Sequence, residues 1–209
     1  MQILIYGDSN SWGQIPDING YSKNAIAKQY STKDIWWYPL TKNNHVIVNA
    51  LPGRAIANDN PWLEGRNSSL TIEKDIEGLS PDLVIISLGT NDCKSRYGLS
   101  ANDIAQQLEV LASYIQNQTN CKILIISPAT IKEGNKITDK FYAGAEKKSQ
   151  ELNKTYLSLA NKNNYMFVSG TDLDVGEDGE HFTKYSHHRL GEKVIAELEK
   201  NLANQNQKI

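Results

Sequence analysis

Cysteine is scarce in this chain: Cys93 and Cys121 are the only two in 209 residues. Two thiols cannot build a disulfide framework, and they read as reduced, buried side chains with no redox or nucleophilic role. No apolar run approaches the length of a membrane span, so a transmembrane helix is excluded and no membrane partner is expected. Neither charge dominates. With 22 Lys and Arg against 24 Asp and Glu, the formal net charge is −2, which provides no footprint for a phosphate backbone and sets nucleic acid aside as a partner. The first residues are strand-like, without a basic lead or a small-residue cleavage site, so no signal peptide is expected and the predicted location is cytoplasmic. The first strand is followed by neither G-x-G-x-x-G nor G-x-x-x-x-G-K-[ST], which argues against a phosphate or nucleotide binder.

What is present is an alternation. Apolar runs with strand character recur at 2–6, 45–49, 83–88, 122–126 and 165–168, and several are continuously hydrophobic, as in a sheet covered on both faces. Between them, Ile104, Leu108, Leu111 and Ile115 repeat at helical steps, as do Ala145, Ser149, Leu152, Tyr156 and Leu159. Ser100 stands three residues before Asp103 as a capping-box start, and Leu190, Val194, Leu198 and Leu202 mark a closing helix. The predicted class is α/β: a parallel sheet between two helical layers, one domain over 1–209, frayed over about 203–209. Residues 50–69 and 128–139 read as irregular stretches able to wall a crevice.

Three fragments carry chemistry. Ile3 to Tyr6 breaks into Gly7-Asp8-Ser9, Val84 to Leu88 runs into Gly89-Thr90-Asn91-Asp92, and near the other end stands Asp178-Gly179-Glu180-His181. Parallel sheets place ligands beyond the carboxyl ends of their strands, so Ser9, Asn91 and Pro52-Gly53 should converge. A serine hydroxyl is a weak nucleophile and needs a base and a site for the oxyanion formed on attack. His181 is the candidate base, Asp178 fixes its tautomer, and Gly179 lets the loop turn. The Ser9 and Gly53 backbone N–H groups and the Asn91 side-chain amide are the candidate oxyanion donors. Each fragment alone has an ordinary reading as a turn or cap; their joint order is the signal.

Other candidates take structural readings. Asp8 and Asp92 are expected to fix loops by hydrogen bonds. His187 and His188 open the last helix at a spacing that fits no zinc pattern, and His45 starts a strand. Trp36 and Trp37 are assigned to the core, whereas Trp12 suits an acyl pocket and the core equally.

Gly7-Asp8-Ser9, Pro52-Gly53-Arg54, Gly89-Thr90-Asn91-Asp92 and Asp178-x-x-His181, in that order, make the chain resemble the SGNH (GDSL-type) hydrolases over nearly its whole length. The longer matches at 7–13, 82–94 and 178–183 are similar to the bacterial arylesterase and acyltransferase branch. The resemblance implies a three-layer α/β/α sandwich with a five-stranded sheet of flavodoxin-like order. It implies cleavage of short-chain esters through an acyl-serine, with no metal or organic cofactor and a small-molecule ester as partner. Carried over, Ser9 is the nucleophile, Gly53 and Asn91 complete the oxyanion hole, and Asp178 and His181 finish the triad. Some members of that branch also pass the acyl group to alcohols and some oligomerise, which leaves acyl transfer and a homo-oligomer open here. The remaining alternative is a non-catalytic ester- or carbohydrate-binding module on the same scaffold. Asn10 replaces the family's name-giving leucine and is expected to lie outside the chemistry. Ala50 precedes Leu51 where many relatives have glycine, so that donor rests on Gly53 alone.

Overall fold

The computed structural model describes residues 1–20 and 26–206. Five strands, β1 (Gln2–Gly7), β2 (His45–Ala50), β3 (Leu83–Ser87), β4 (Lys122–Ile126) and β5 (Met166–Val168), form one sheet. Its order is β2-β1-β3-β4-β5, and every pairing is parallel. The helices are α1 (Ser9–Trp12), α2 (Ser68–Ile76), α3 (Ala101–Thr119), α4 (Lys136–Phe141), α5 (Ala145–Asn163) and α6 (Lys184–Asn206).

Side chains alternate across each strand, so an all-apolar strand must be covered twice. Leu4, Tyr6, Val84 and Ile86 face a core completed by Ile104 and Leu108 of α3 and Leu152 and Tyr156 of α5. Their neighbours Ile3, Ile5, Leu83 and Ile85 pack on the other face against Trp36, Trp37, Leu40, Leu190 and Val194. The three-layer sandwich is therefore built as expected, with Trp36 and Trp37 in its core. α3 opens on the expected capping box: Ser100 Oγ accepts from the Asp103 N–H at 3.2 Å, and the Asp103 carboxylate accepts from the Ser100 N–H at 2.8 Å. Cys93 and Cys121 are buried and unpaired, and among the described residues no helix is long and apolar enough to cross a membrane.

β2 lies at the sheet edge, as the flavodoxin-like order implies, with His45 and Val48 exposed. One feature differs from the sequence reading. The stretch expected to be irregular from 128 to 139 contains the start of α4, whose N-cap Asn135 accepts from the N–H groups of Ile137 and Thr138; six residues are too few to display a helical period. The last helix runs to Asn206; of the stretch expected to fray, 207–209 lie outside the described residues.

Arg54 is fully buried at the carboxyl edge of the sheet. Its guanidinium donates to the carbonyls of Gly7 at 3.3 Å and Asn49 at 2.6 Å and to Asn49 Oδ1 at 2.8 Å. It also pairs with Asp75 at 3.4 Å and lies 4.2 Å over the Tyr6 ring. One side chain thus satisfies strand-end carbonyls on β1 and β2 and ties both to α2. Arg54→Met takes the guanidinium from Asn49 and Asp75, while the Gly7 carbonyl keeps the Leu51 N–H at 3.1 Å, and we expect it to lower unfolding free energy by about 3 kcal/mol in urea denaturation. A loss under about 1 kcal/mol would show that water replaces the guanidinium without cost.

Candidate active site

β1 pairs in register with both neighbours, Gly7 lying opposite Ala50 on β2 and Ser87 on β3. The loops leaving these three strands therefore start at one edge, where the chain order reverses about β1. Gly7 has no room for a side chain: a Cβ there would stand 2.4 Å from Ser11 Oγ. Asp8 caps α1 by accepting from the Asn10 N–H at 2.9 Å, which presents Ser9 as the first helical residue. Gly13, at φ +91°, ends the helix after one turn.

The Asp178–His181 loop approaches from the far end of the chain. One Asp178 oxygen accepts from the N–H groups of Glu180 and His181, each at 3.1 Å. The other accepts from the Asp17 N–H at 3.0 Å and lies 2.8 Å from His181 Nδ1. Gly179 between them has φ +82°, and a Cβ there would meet the Lys132 carbonyl at 2.3 Å, so the turn depends on glycine as expected. With Nδ1–H donated to Asp178, Nε2 is left to accept from the Ser9 hydroxyl, 2.9 Å away across 172 residues of sequence. The three predicted groups are thus in line.

Burial opposes charge on both partners, but neighbouring groups outweigh it. Asp178 is held below the usual carboxylate range because, against burial, it receives the hydrogen bond and charge of His181 and the N–H groups of His181 and Glu180. His181 is raised above its ordinary value because, against burial, Glu180, Asp178 and Asp8 favour the imidazolium.

Asn91 opens a 3-10 turn just after β3. Its Nδ2 donates to the Arg54 carbonyl at 3.0 Å, and its Oδ1 accepts from Lys94 Nζ at 2.7 Å. Both contacts fix the amide's orientation and leave its second N–H for a ligand. Lys94, buried and unmarked by the sequence reading, is lowered by burial, against which Glu180, Asp8 and Asp92 favour its charge. Glu180 in turn accepts from the Tyr142 hydroxyl. Ser9, Gly53, Asn91 and His181 all line one crevice of about 700 Å³.

Asn10 has a structural part that the sequence reading did not give it. Its side chain is buried and spans the two loops, Nδ2 donating to the Glu180 carbonyl at 3.1 Å and Oδ1 accepting from the Phe182 N–H at 2.9 Å. It therefore brackets His181 from both sides. Nothing in the sequence marks this, since an asparagine after Ser9 reads as a turn residue.

Asp92 behaves as expected, accepting from the Ile56 N–H and the Asn58 amide at 2.9 Å each. Burial pushes its carboxyl up to about 6 and that of Asp8 up to about 7. His187 packs edge-on against Tyr30 and Phe182, and burial pushes it down to about 3. His188 lies 3.4 Å from Asp34 at the surface. Trp12 is half-buried and does not line the crevice, whereas Trp62 does. Among the described residues no cluster of His, Cys, Asp and Glu is arranged to hold a metal ion.

A serine hydroxyl joined through an imidazole to a buried carboxylate, at the carboxyl edge of a parallel sheet, is the constellation of a serine hydrolase. The model of the GDSL-like lipase/acylhydrolase family matches residues 5–190. The chain belongs to that family, the SGNH hydrolases, and is a carboxylic ester hydrolase. The native aryl esterase of M. smegmatis superposes with a TM-score of 0.85 at 26% identity, covering 95% of this chain and 98% of its own. A carbohydrate acetylesterase from Sinorhizobium meliloti gives 0.84 at 26% identity, covering 96% and 99%. A lipase/acylhydrolase from Enterococcus faecalis, at 18% identity and a TM-score of 0.69 over 96% of each chain, shares the fold. No curated protein sequence matches the chain.

If the Asn10 clasp places His181, Asn10→Leu should lower kcat about tenfold with little change in KM, the signature of lost orientation rather than lost binding. Unchanged kcat in a folded variant would assign the clasp to stability alone.

Proposed function

We propose that this enzyme hydrolyses short-chain acyl esters, acetyl esters among them, through an acyl-serine intermediate. The observation that supports this most directly is the 2.9 Å contact between Ser9 Oγ and His181 Nε2, with Asp178 behind the imidazole. Ser9 Oγ attacks the ester carbonyl while His181 Nε2 takes its proton. The oxyanion is received by the N–H groups of Ser9 and Gly53 and the remaining N–H of Asn91, three residues that line the same crevice. Collapse expels the alcohol, which takes the proton from His181. Water, activated by the same imidazole, then attacks the acyl-serine and regenerates Ser9. An alcohol in place of water turns the second half into acyl transfer. Every group in the scheme belongs to the chain itself.

The M. smegmatis and S. meliloti relatives, an aryl esterase and a carbohydrate acetylesterase, support an acyl ester as substrate. Two buried, unpaired thiols suit a reducing compartment, and we place the enzyme in the cytoplasm.

Ser9→Ala should remove turnover of p-nitrophenyl acetate, by about 10³-fold or more, in a protein that melts like the wild type. Retention of turnover would overturn the assignment of Ser9. Asn91→Ala should lower kcat by about 10² to 10³ with KM nearly unchanged. The reaction needs neutral His181, and its pKa lies above the ordinary value. The acid limb of kcat/KM should therefore have its midpoint above about 6.5, with rate falling as pH drops through it. A profile flat between about pH 5 and 8 would exclude His181 as the base.

A further inference from the structure

The chain carries a net charge of −2, yet the charged side chains lining the crevice, apart from the catalytic imidazole, are Arg66, Lys94 and Lys140. No carboxylate lines it among the described residues. Lys94 lies deep and serves the Asn91 amide. The other two stand further out. Arg66 is half-buried and held by backbone carbonyls, Nε donating to Pro52 at 2.8 Å and Nη1 to Glu64 at 3.0 Å. Lys140 is exposed, 5.0 Å over the Phe141 ring. A third cation, Arg96, stacks 4.5 Å over Trp62, which is 66% exposed and meets Phe141 edge-on at 6.0 Å. Among the described residues none of Arg66, Arg96 and Lys140 has a carboxylate within salt-bridge distance. The mouth is thus two aromatic rings with unneutralised cations around them.

We propose that the substrate is an ester whose alcohol portion is a ring-shaped group bearing a carboxylate, a sugar acid or an aromatic acid. This rests on the esterase reading. A short acyl group occupies the floor beside Ser9, and the alcohol extends past Gly53 toward Trp62 and Phe141. There the ring lies against the aromatic wall and its carboxylate meets Arg66, with Lys140 and Arg96 adding to the field. Arg66 is the anchor because its carbonyl partners fix the guanidinium without neutralising it, and a planar fork suits a carboxylate. Cations of one sign in a concave, partly desolvated mouth also raise local anion concentration and the encounter rate.

The test compares 4-acetoxybenzoate with uncharged phenyl acetate, two acetyl esters of similar leaving-group ability. We expect kcat/KM for the anionic ester to be about tenfold higher at low salt and the advantage to shrink in 0.5 M NaCl, as screening requires. Lys140→Gln, a change at an exposed site, should reduce the ratio, and Arg66→Gln with Lys140→Gln should bring it to about one. A ratio of one or below in the wild type, or one that ignores both salt and the substitutions, would overturn the proposal. Calorimetry on Ser9→Ala with benzoate and benzyl alcohol separates this from the esterase reading. If neither ester is turned over, that reading fails, and the calorimetry then decides the anion site by itself. Tighter benzoate binding that is lost with Arg66→Gln supports the site, and equal affinities refute it.

Discussion

Parallel pairing of β1 with both β2 and β3, in one register, is the constraint on which the site depends. Gly7 lies opposite Ala50 and Ser87, so three chain segments leave the sheet at the same height and at the reversal of strand order. Gly53 and Asn91 line the same crevice as Ser9 because their strands flank its own. Arg54 holds this edge together twice, its side chain on the carbonyls of Gly7 and Asn49 and its own carbonyl on the Asn91 amide. Packing energy on the two faces of the sheet therefore becomes positional accuracy at its edge.

Electrostatics within the site follow donor supply rather than residue type. Asp8, Asp92 and Asp178 are all buried. Asp178 receives three N–H groups and an imidazole and stays ionised. Asp8 accepts one hydrogen bond on its carboxylate among the described residues, from the Asn10 N–H, and is pushed up to about 7, burial being the larger influence. The carboxylate that meets the imidazole is the one furnished with donors. Lys94 supplies the opposite sign in the same crevice, where it donates to Asn91 Oδ1 and orients that amide.

Much of this was legible in the sequence. Continuous apolar runs announced a doubly covered sheet, and Ser9, Gly53, Asn91, Asp178 and His181 stood at strand ends or in a turn where backbone geometry demands glycine. What escaped notice depends on pairings that no local pattern encodes. Asn10 acts on backbone atoms 170 residues away, and the charge of Lys94 is favoured by Glu180, which arrives from a distant loop. α4 was hidden by its brevity.

The two thiols have a practical consequence. Cys93 and Cys121 are only 0% and 4% exposed, and burial raises both above the ordinary thiol range, so the native protein presents no ready thiolate to alkylating reagents. A single cysteine placed at an exposed position such as Trp62 would then be uniquely addressable. A fluorophore attached there would report, in real time and without removing any native residue of the interior, on what enters and leaves the crevice.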